Sequence, residues 1–462
     1  MKTVLLIDED RTLSGVLQEP LTAAGWSVID AVGGEAGVSQ AIQQLPDLVI
    51  CDLLMPRFNG YQVCRALRAQ RTLFANLKII VTSTSSYSSD RLNALDAGAD
   101  AFLVEPLKAA TVMKVIAELA LPAGAPKEAG QGPAANRQPV TGVNPGAHLI
   151  GRPPTLKFWG VRGSIATPGP GTVQYGGNTS CVEIRADGEI IVLDAGTGIR
   201  QLGRSLMAEF KGQSINLTLL ISHTHWDHIQ GFPFFIPAYL PQNKIRIIGY
   251  EGASSGLIGT LSSQMESPYF PVSMQQLPSN LQIEELKDFL FHIGGVTVTA
   301  TFLNHPGITV GYRIHTSGGS VVYLPDNEPY SRLHTVSGDQ SPKSYEALSY
   351  AQKQDAKLIE FIQGADILIM DSQYDDTEYR SHIGWGHGCV DDVVAIAVIA
   401  KVKKLFLFHH DPDHDDQQIT KMVEWARELV MIHGEQLEVD AAREGVELVL
   451  AQSIAQSYLT QA

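Results

Sequence analysis

Through about residue 120, short apolar runs alternate with stretches whose apolar positions recur at helical spacing. The runs are TVLLI, SVIDA, DLVIC, KIIVT and AFLV. Between them, segments such as GYQVCRALRAQ and DRLNALDAG place apolar residues three and four apart. Five such alternations predict an α/β unit, a five-stranded parallel doubly wound sheet with its functional positions at the strand C-terminal ends. The pattern then stops. Residues 122–154 are rich in Gly, Pro, Ala and Asn, carry no periodicity and read as a flexible linker. A second region, 155–462, opens with strand-like runs: LKFWG, CVEIR, IIVLD, LTLLI, VTVTATFL, GYRIH, VVYLP and DILIM. Its helical patterns, VDDVVAIAVIAKV and TKMVEWARELV, come late. The predicted organisation is therefore 1–121, linker 122–154 and 155–462.

Composition narrows the function. Of 462 residues, 44% are hydrophobic and 18% charged, enough for a sizeable core. The four cysteines are scattered and form no disulfide framework, which suits a reducing compartment. No run approaches the ~18–20 apolar residues of a membrane span. The start, MKTVLLIDED, turns acidic too soon for a signal-peptide core. A cytoplasmic protein is expected. The net charge of −15 disfavours long nucleic acid as a partner, because phosphate binding needs a basic face. It leaves room for a small anion held by metal ions.

The densest chemistry is HTHWDH, directly after the run LTLLI. Imidazole and carboxylate suit Zn²⁺ and its neighbours in the first transition row. In H-x-H on an extended segment, His223 and His225 share a side and grip one ion. Asp227 and His228 fall on the next turn and grip a second. Further donors end other strands: His305 in FLNHPG, Asp326 in VVYLPD, His409 and His410 in KLFLFHH. A carboxylate has two oxygens, so Asp326 is able to bridge two ions. His387 lies between glycines in GWGHGCVDD, poorly placed for core packing.

HTHWDH, FLNHPG, YLPD, GWGHG and LFLFHH, in that order, resemble the successive metal motifs of the metallo-β-lactamase-fold hydrolases. FWGVRGSIATPGPGTVQYGGNTSCVEI, with IIVLDAGTGI after it, resembles the start of the branch containing phosphodiesterases and tRNase Z. The resemblance implies an αββα sandwich holding two divalent transition-metal ions, Zn or Mn. It places His223, His225 and His305 on one metal, Asp227, His228 and His409 on the other, and Asp326 between them. His409 is preferred to His410 because it directly follows the strand. In the phosphodiesterase branch a histidine in a motif like that of His387 is the general acid, oriented by an upstream acid, here Asp371. That pair favours phosphoester chemistry by metal-bridged hydroxide attack, with a small phosphodiester, and first a cyclic nucleotide, as substrate. A lactone or thioester hydrolase on the same scaffold, or a non-catalytic signalling adaptor, are the rivals. The insertion near 251–282 holds no Lys or Arg, unlike an RNA clamp. It reads as an apolar lid or a homodimer contact.

In the first region, Asp8 and Glu9 follow TVLLI, and Asp52 follows DLVIC. Three carboxylates at adjacent strand ends suit Mg²⁺. IDED, CDLLMPRFNG, IIVTST and LVEPL resemble a response-regulator receiver domain. The resemblance implies that Asp52 accepts phosphate from a histidine kinase and that Ser83 is the switch hydroxyl. One departure stands out: Glu105 precedes Pro106 where receivers carry Lys.

Overall fold

The computed structural model describes residues 2–119, 152–250, 256–267, 269–335 and 342–450. Most of the expected linker 122–154 lies outside them. Two compact units are present and are taken separately.

In the first, strands β1 (Thr3–Asp8), β2 (Ser27–Val32), β3 (Leu48–Asp52), β4 (Lys78–Ser83) and β5 (Ala101–Val104) form one parallel sheet in the order β2-β1-β3-β4-β5. The central strands read as unbroken apolar runs because helices cover both faces. Val4, Leu6 and Ile50 pack with Leu13, Leu17 and Leu21 of helix Thr12–Ala23 and with Val112 and Ile116 of helix Ala109–Glu118. Helix Gly60–Ala69 starts on a capping box between Asn59 and Gln62. The crossovers leave Asp8 and Asp52 at one end of the sheet.

The second unit has two seven-stranded sheets. One runs Asn280–Glu285, Lys244–Gly249, Asn216–Ile221, Glu189–Leu193, Cys181–Ala186, Thr155–Gly160 and Glu447–Val449. The other runs Leu290–Ile293, Val296–Leu303, Thr309–Thr316, Gly319–Leu324, Ile367–Asp371, Lys404–Phe408 and Glu438–Ala441. Their inner faces meet through aromatic side chains. Phe158 lies 5.1 Å from Phe406, and the Tyr312 hydroxyl donates to the Ile221 carbonyl. Helix Ile199–Phe210 closes one outer face; Val390–Ile399 and Asp416–His433 close the other. This is the αββα arrangement.

The described part of the 251–282 insertion is a packed layer rather than a flap. Leu257, Leu261, Met265, Met274 and Leu277 are buried in the core beside the first sheet. Its apolar content thus serves packing, leaving Ile258 and Tyr269 exposed.

Candidate metal centre

Strand Asn216–Ile221 delivers Ser222 and His223 to the edge of the sandwich. The chain stays extended at His225 and then turns into the short helix Trp226–Ile229, which carries Asp227 and His228. Strands Val296–Leu303, Gly319–Leu324 and Lys404–Phe408 end just before His305, Asp326 and His409. Donor atoms within 4.8 Å of one another form the sets His223/His225/His305 and Asp227/His228/Asp326/His409, and His387 joins two further sets, with His305 and Asp326 and with Asp371 and His409. Asp326 belongs to both sides. Its Oδ2 is 3.7 Å from His223 Nε2 and 3.6 Å from His305 Nε2. Its Oδ1 is 3.1 Å from His228 Nε2 and 3.4 Å from His409 Nε2.

The far sides of four of the five rings are anchored, while His225 Nδ1 meets His305 Nε2 at 3.0 Å within the cluster. His228 Nδ1–H donates to Asp194 Oδ2 at 2.8 Å, and His305 Nδ1–H to the Gly386 carbonyl at 2.8 Å. His409 Nδ1 meets Gln373 Oε1 at 3.0 Å, and His223 Nδ1 meets Ser222 Oγ at 3.1 Å. Such partners fix the ring and point Nε2 into the cluster. There, His223 Nε2, His228 Nε2 and Asp326 Oδ1 are buried with no hydrogen-bond partner. Buried polar atoms left unpaired are costly. Three converging on one space are what a cation site requires.

Electrostatics agree. Burial lowers His223 and His305 well below the usual imidazole range, keeping them neutral. Burial opposes charge on Asp227 and Asp326 too, but the neighbouring histidines, His228 first, hold both carboxyls well below their ordinary range. At His387 burial is outweighed by Asp371, 2.9 Å away, and the imidazole rises to about 9. His387, Asp227, Asp326 and His409 face a common cavity of ≈ 410 Å³. His410 does not: its Nε2 donates to the Ala442 carbonyl at 2.9 Å, away from the cluster. His409 reaches inward through a left-handed backbone, φ 60°. A Cβ at Gly163 would collide with its ring, so glycine there is required by close approach.

Asp194, Gln373 and Glu328 escaped the sequence reading as individual residues. Asp194 is fully buried, has φ 61°, and also accepts from Ser222 N and Oγ and from the Tyr323 hydroxyl. Asp194 directly follows its strand, whereas Gln373 lies two residues beyond Asp371 and Glu328 four beyond Leu324, so only Asp194 carried that signal.

At the receiver edge, Asp8 Oδ2 accepts the Leu13 N–H at 2.8 Å, while Glu9 is exposed. Burial raises Asp52 well above the carboxylate range, with Glu105 and Asp8 adding repulsion. Burial likewise raises Asp8 and Glu105. At the expected switch position two adjacent hydroxyls take opposite faces. Thr82 is the register partner of Asp52, and its hydroxyl is buried without a hydrogen-bond partner among the described residues. Ser83 alternates to the other face, where its Oγ accepts the Ser85 N–H at 3.1 Å.

Comparison with known proteins divides the chain in the same way. Residues 4–117 match the response regulator receiver domain, and residues 189–340 the beta-lactamase superfamily domain. Over 103 residues the chain is 36% identical to a probable transcriptional regulator ycf27 of Porphyridium aerugineum, covering 22% of this chain and 41% of that protein. Over 107 residues it is 35% identical to the DNA-binding dual master transcriptional regulator RpaA of Synechocystis sp., covering 23% and 44%. The matched stretch thus spans less than half of these relatives. Among solved structures, the metallo-beta-lactamase fold protein YhfI of Bacillus subtilis is similar at 17% identity and TM-score 0.45, covering 64% of this chain and 99% of that one. A diphosphatase of the PhnP family is similar at 16% and 0.42, covering 65% and 100%.

The second unit is a metallo-β-lactamase-fold domain, defined by its sandwich and family match. The first is a response regulator receiver domain, so the chain joins a signalling module to a fold with a metal-ligand edge.

Proposed function

We propose that this protein is a metal-dependent hydrolase of small phosphodiesters, with a cyclic nucleotide as the leading substrate and a histidine kinase acting on its receiver. The carrying observation is His387, which lines the same cavity as the donor cluster and is paired with the buried Asp371 behind it. His223, His225 and His305 would hold one Zn²⁺ or Mn²⁺, and Asp227, His228 and His409 the other, with Asp326 shared. Such ions supply Lewis acidity and acidify bound water. The chain's own contribution is a proton. His387 holds it on the imidazole against Asp371 and offers it to the departing oxygen.

The residues lining the cavity include no Lys or Arg, so little beyond the metals and His387 attracts anions there. That suits the single charge of a diester better than the double charge of a monoester. Trp226 stands on the cavity wall, 77% exposed, and offers a planar face to a nucleobase. Base–aromatic stacking is worth ~1–3 kcal/mol.

The test is turnover of bis(4-nitrophenyl) phosphate, then of a panel of cyclic and linear phosphodiesters, with Zn²⁺ and Mn²⁺. His387→Ala should retain its metal and lose ~10²-fold or more in kcat on diesters with a strongly basic leaving oxygen, and far less on bis(4-nitrophenyl) phosphate. Turnover of lactones or thioesters alone would refute the phosphodiester reading.

A further inference from the structure

Beyond Asp326 the chain continues into Asn327 and Glu328, both buried. A buried carboxylate must find donors. Glu328 finds them around one loop. Its Oε1 accepts the Tyr379 hydroxyl at 2.6 Å and the Gly384 N–H at 2.9 Å. Its Oε2 accepts the Gly386 N–H at 2.8 Å. Gly384 and Gly386 have φ of 84° and 89°, a conformation glycine adopts without steric cost. Both therefore turn their amides toward the same carboxylate.

This loop touches two groups of the site. The Gly386 carbonyl holds His305, and the next residue is His387. The stem of Glu328 is fixed as well. Its N–H donates to the Asn304 carbonyl at 2.9 Å, and its carbonyl accepts Asn304 Nδ2–H at 2.7 Å. The Asn327 N–H donates to Asp371 Oδ2 at 3.1 Å, the oxygen that also receives His387. Glu328 itself is not among the residues lining the cavity.

We infer that Glu328 is a positioning residue: it clamps the loop Gly384–His387 so that the imidazole of His387 meets the leaving oxygen. The inference rests on the phosphodiester reading and adds to it the part that sets acid geometry. A proton donor matters most when the departing oxygen is strongly basic. An alkoxide or simple phenolate needs the proton, whereas 4-nitrophenolate leaves nearly as well without it.

The experiment uses the full chain loaded with Zn²⁺ or Mn²⁺ and two phosphodiesters that differ only in leaving group, 4-nitrophenolate and unsubstituted phenolate. Glu328→Gln keeps the volume and sets an NH₂ group against a glycine amide. Its kcat should fall ~10²-fold on the phenyl ester and under ~10-fold on the nitrophenyl ester. KM and metal content should match wild type. Tyr379→Phe removes one donor, should give a smaller loss with the same selectivity, and carries the test if Glu328→Gln does not fold. Equal losses on both esters, no loss, or loss of metal would overturn the assignment. Leaving-group dependence in His387→Ala but not in Glu328→Gln would overturn the clamp alone. A wild-type enzyme inactive on both esters would overturn the phosphodiester reading and this inference with it.

Discussion

Two places in the molecule gather carboxylates at the C-terminal ends of strands, and they resolve the same problem differently. In the sandwich, Asp227 and Asp326 share their space with His223, His228, His305 and His409 and sit well below the ordinary carboxylate range. In the receiver, Asp8, Asp52 and Glu105 are raised by burial, and Asp52 also feels both other carboxylates. Carboxylates alone do not make a charged site. The first cluster supplies imidazoles that share charge and present lone pairs. The second supplies a third acid where a cation would ease the crowding, so it depends on Mg²⁺ or on protons from outside.

The largest blow to this contrast is Asp326→Ala, which removes the carboxylate shared by both ligand sets. Metal content and turnover should fall together, turnover to background. Elemental analysis showing metal-free, fully active protein would overturn the metal reading. Next comes Asp194→Asn, which touches no substrate but takes a charged acceptor from His228. Metal affinity should weaken ~10–100-fold, as read by chelator competition, with the fold intact by circular dichroism.

On the receiver side the sign of the pH effect follows from the raised carboxyls. Folding binds protons there, so stability is fullest below the unfolded carboxylate range near about 4 and declines as pH rises through the raised values. For residues 1–121 expressed alone, Asp52→Asn should raise the melting temperature at pH 7 and do less near pH 5. Mg²⁺ should stabilise wild type more than the variant. The smallest expected effect is a gain. Glu105→Lys should increase phosphorylation of Asp52 by acetyl phosphate and Mg²⁺ several-fold. Equal yields would show that Glu105 is no handicap.

What the sequence revealed follows a physical divide. The seven metal-ligand candidates were legible because each polar residue follows an apolar strand, and few roles need a histidine or aspartate there. Glu328 and Gln373 lie four and two residues past their strand ends, and only contacts reveal their duties. Thr82 and Ser83 are adjacent hydroxyls, and the pleat decides which one faces Asp52. In the insertion, apolar composition fits a flap or a core layer equally, until Met265 and Met274 are found buried. Strand Glu447–Val449, three residues pairing antiparallel with Thr155–Gly160, carries almost no local signal and depends on contacts nearly 300 positions away.

The meeting of early and late segments at the centre has a consequence for synthesis. The Gly163 N–H donates to the His410 carbonyl, and the buried Arg162 donates through Nη1 to the carbonyls of Asp411 and His414. A stretch made near the start of the sandwich therefore waits for one made some 250 residues later before either is fixed. On the ribosome, at about 5–20 residues per second, that interval lasts from roughly a dozen seconds to nearly a minute. Until then HTHWDH lacks His409, the last member of its donor cluster, and a nascent chain that captured a metal early would hold it by an incomplete set.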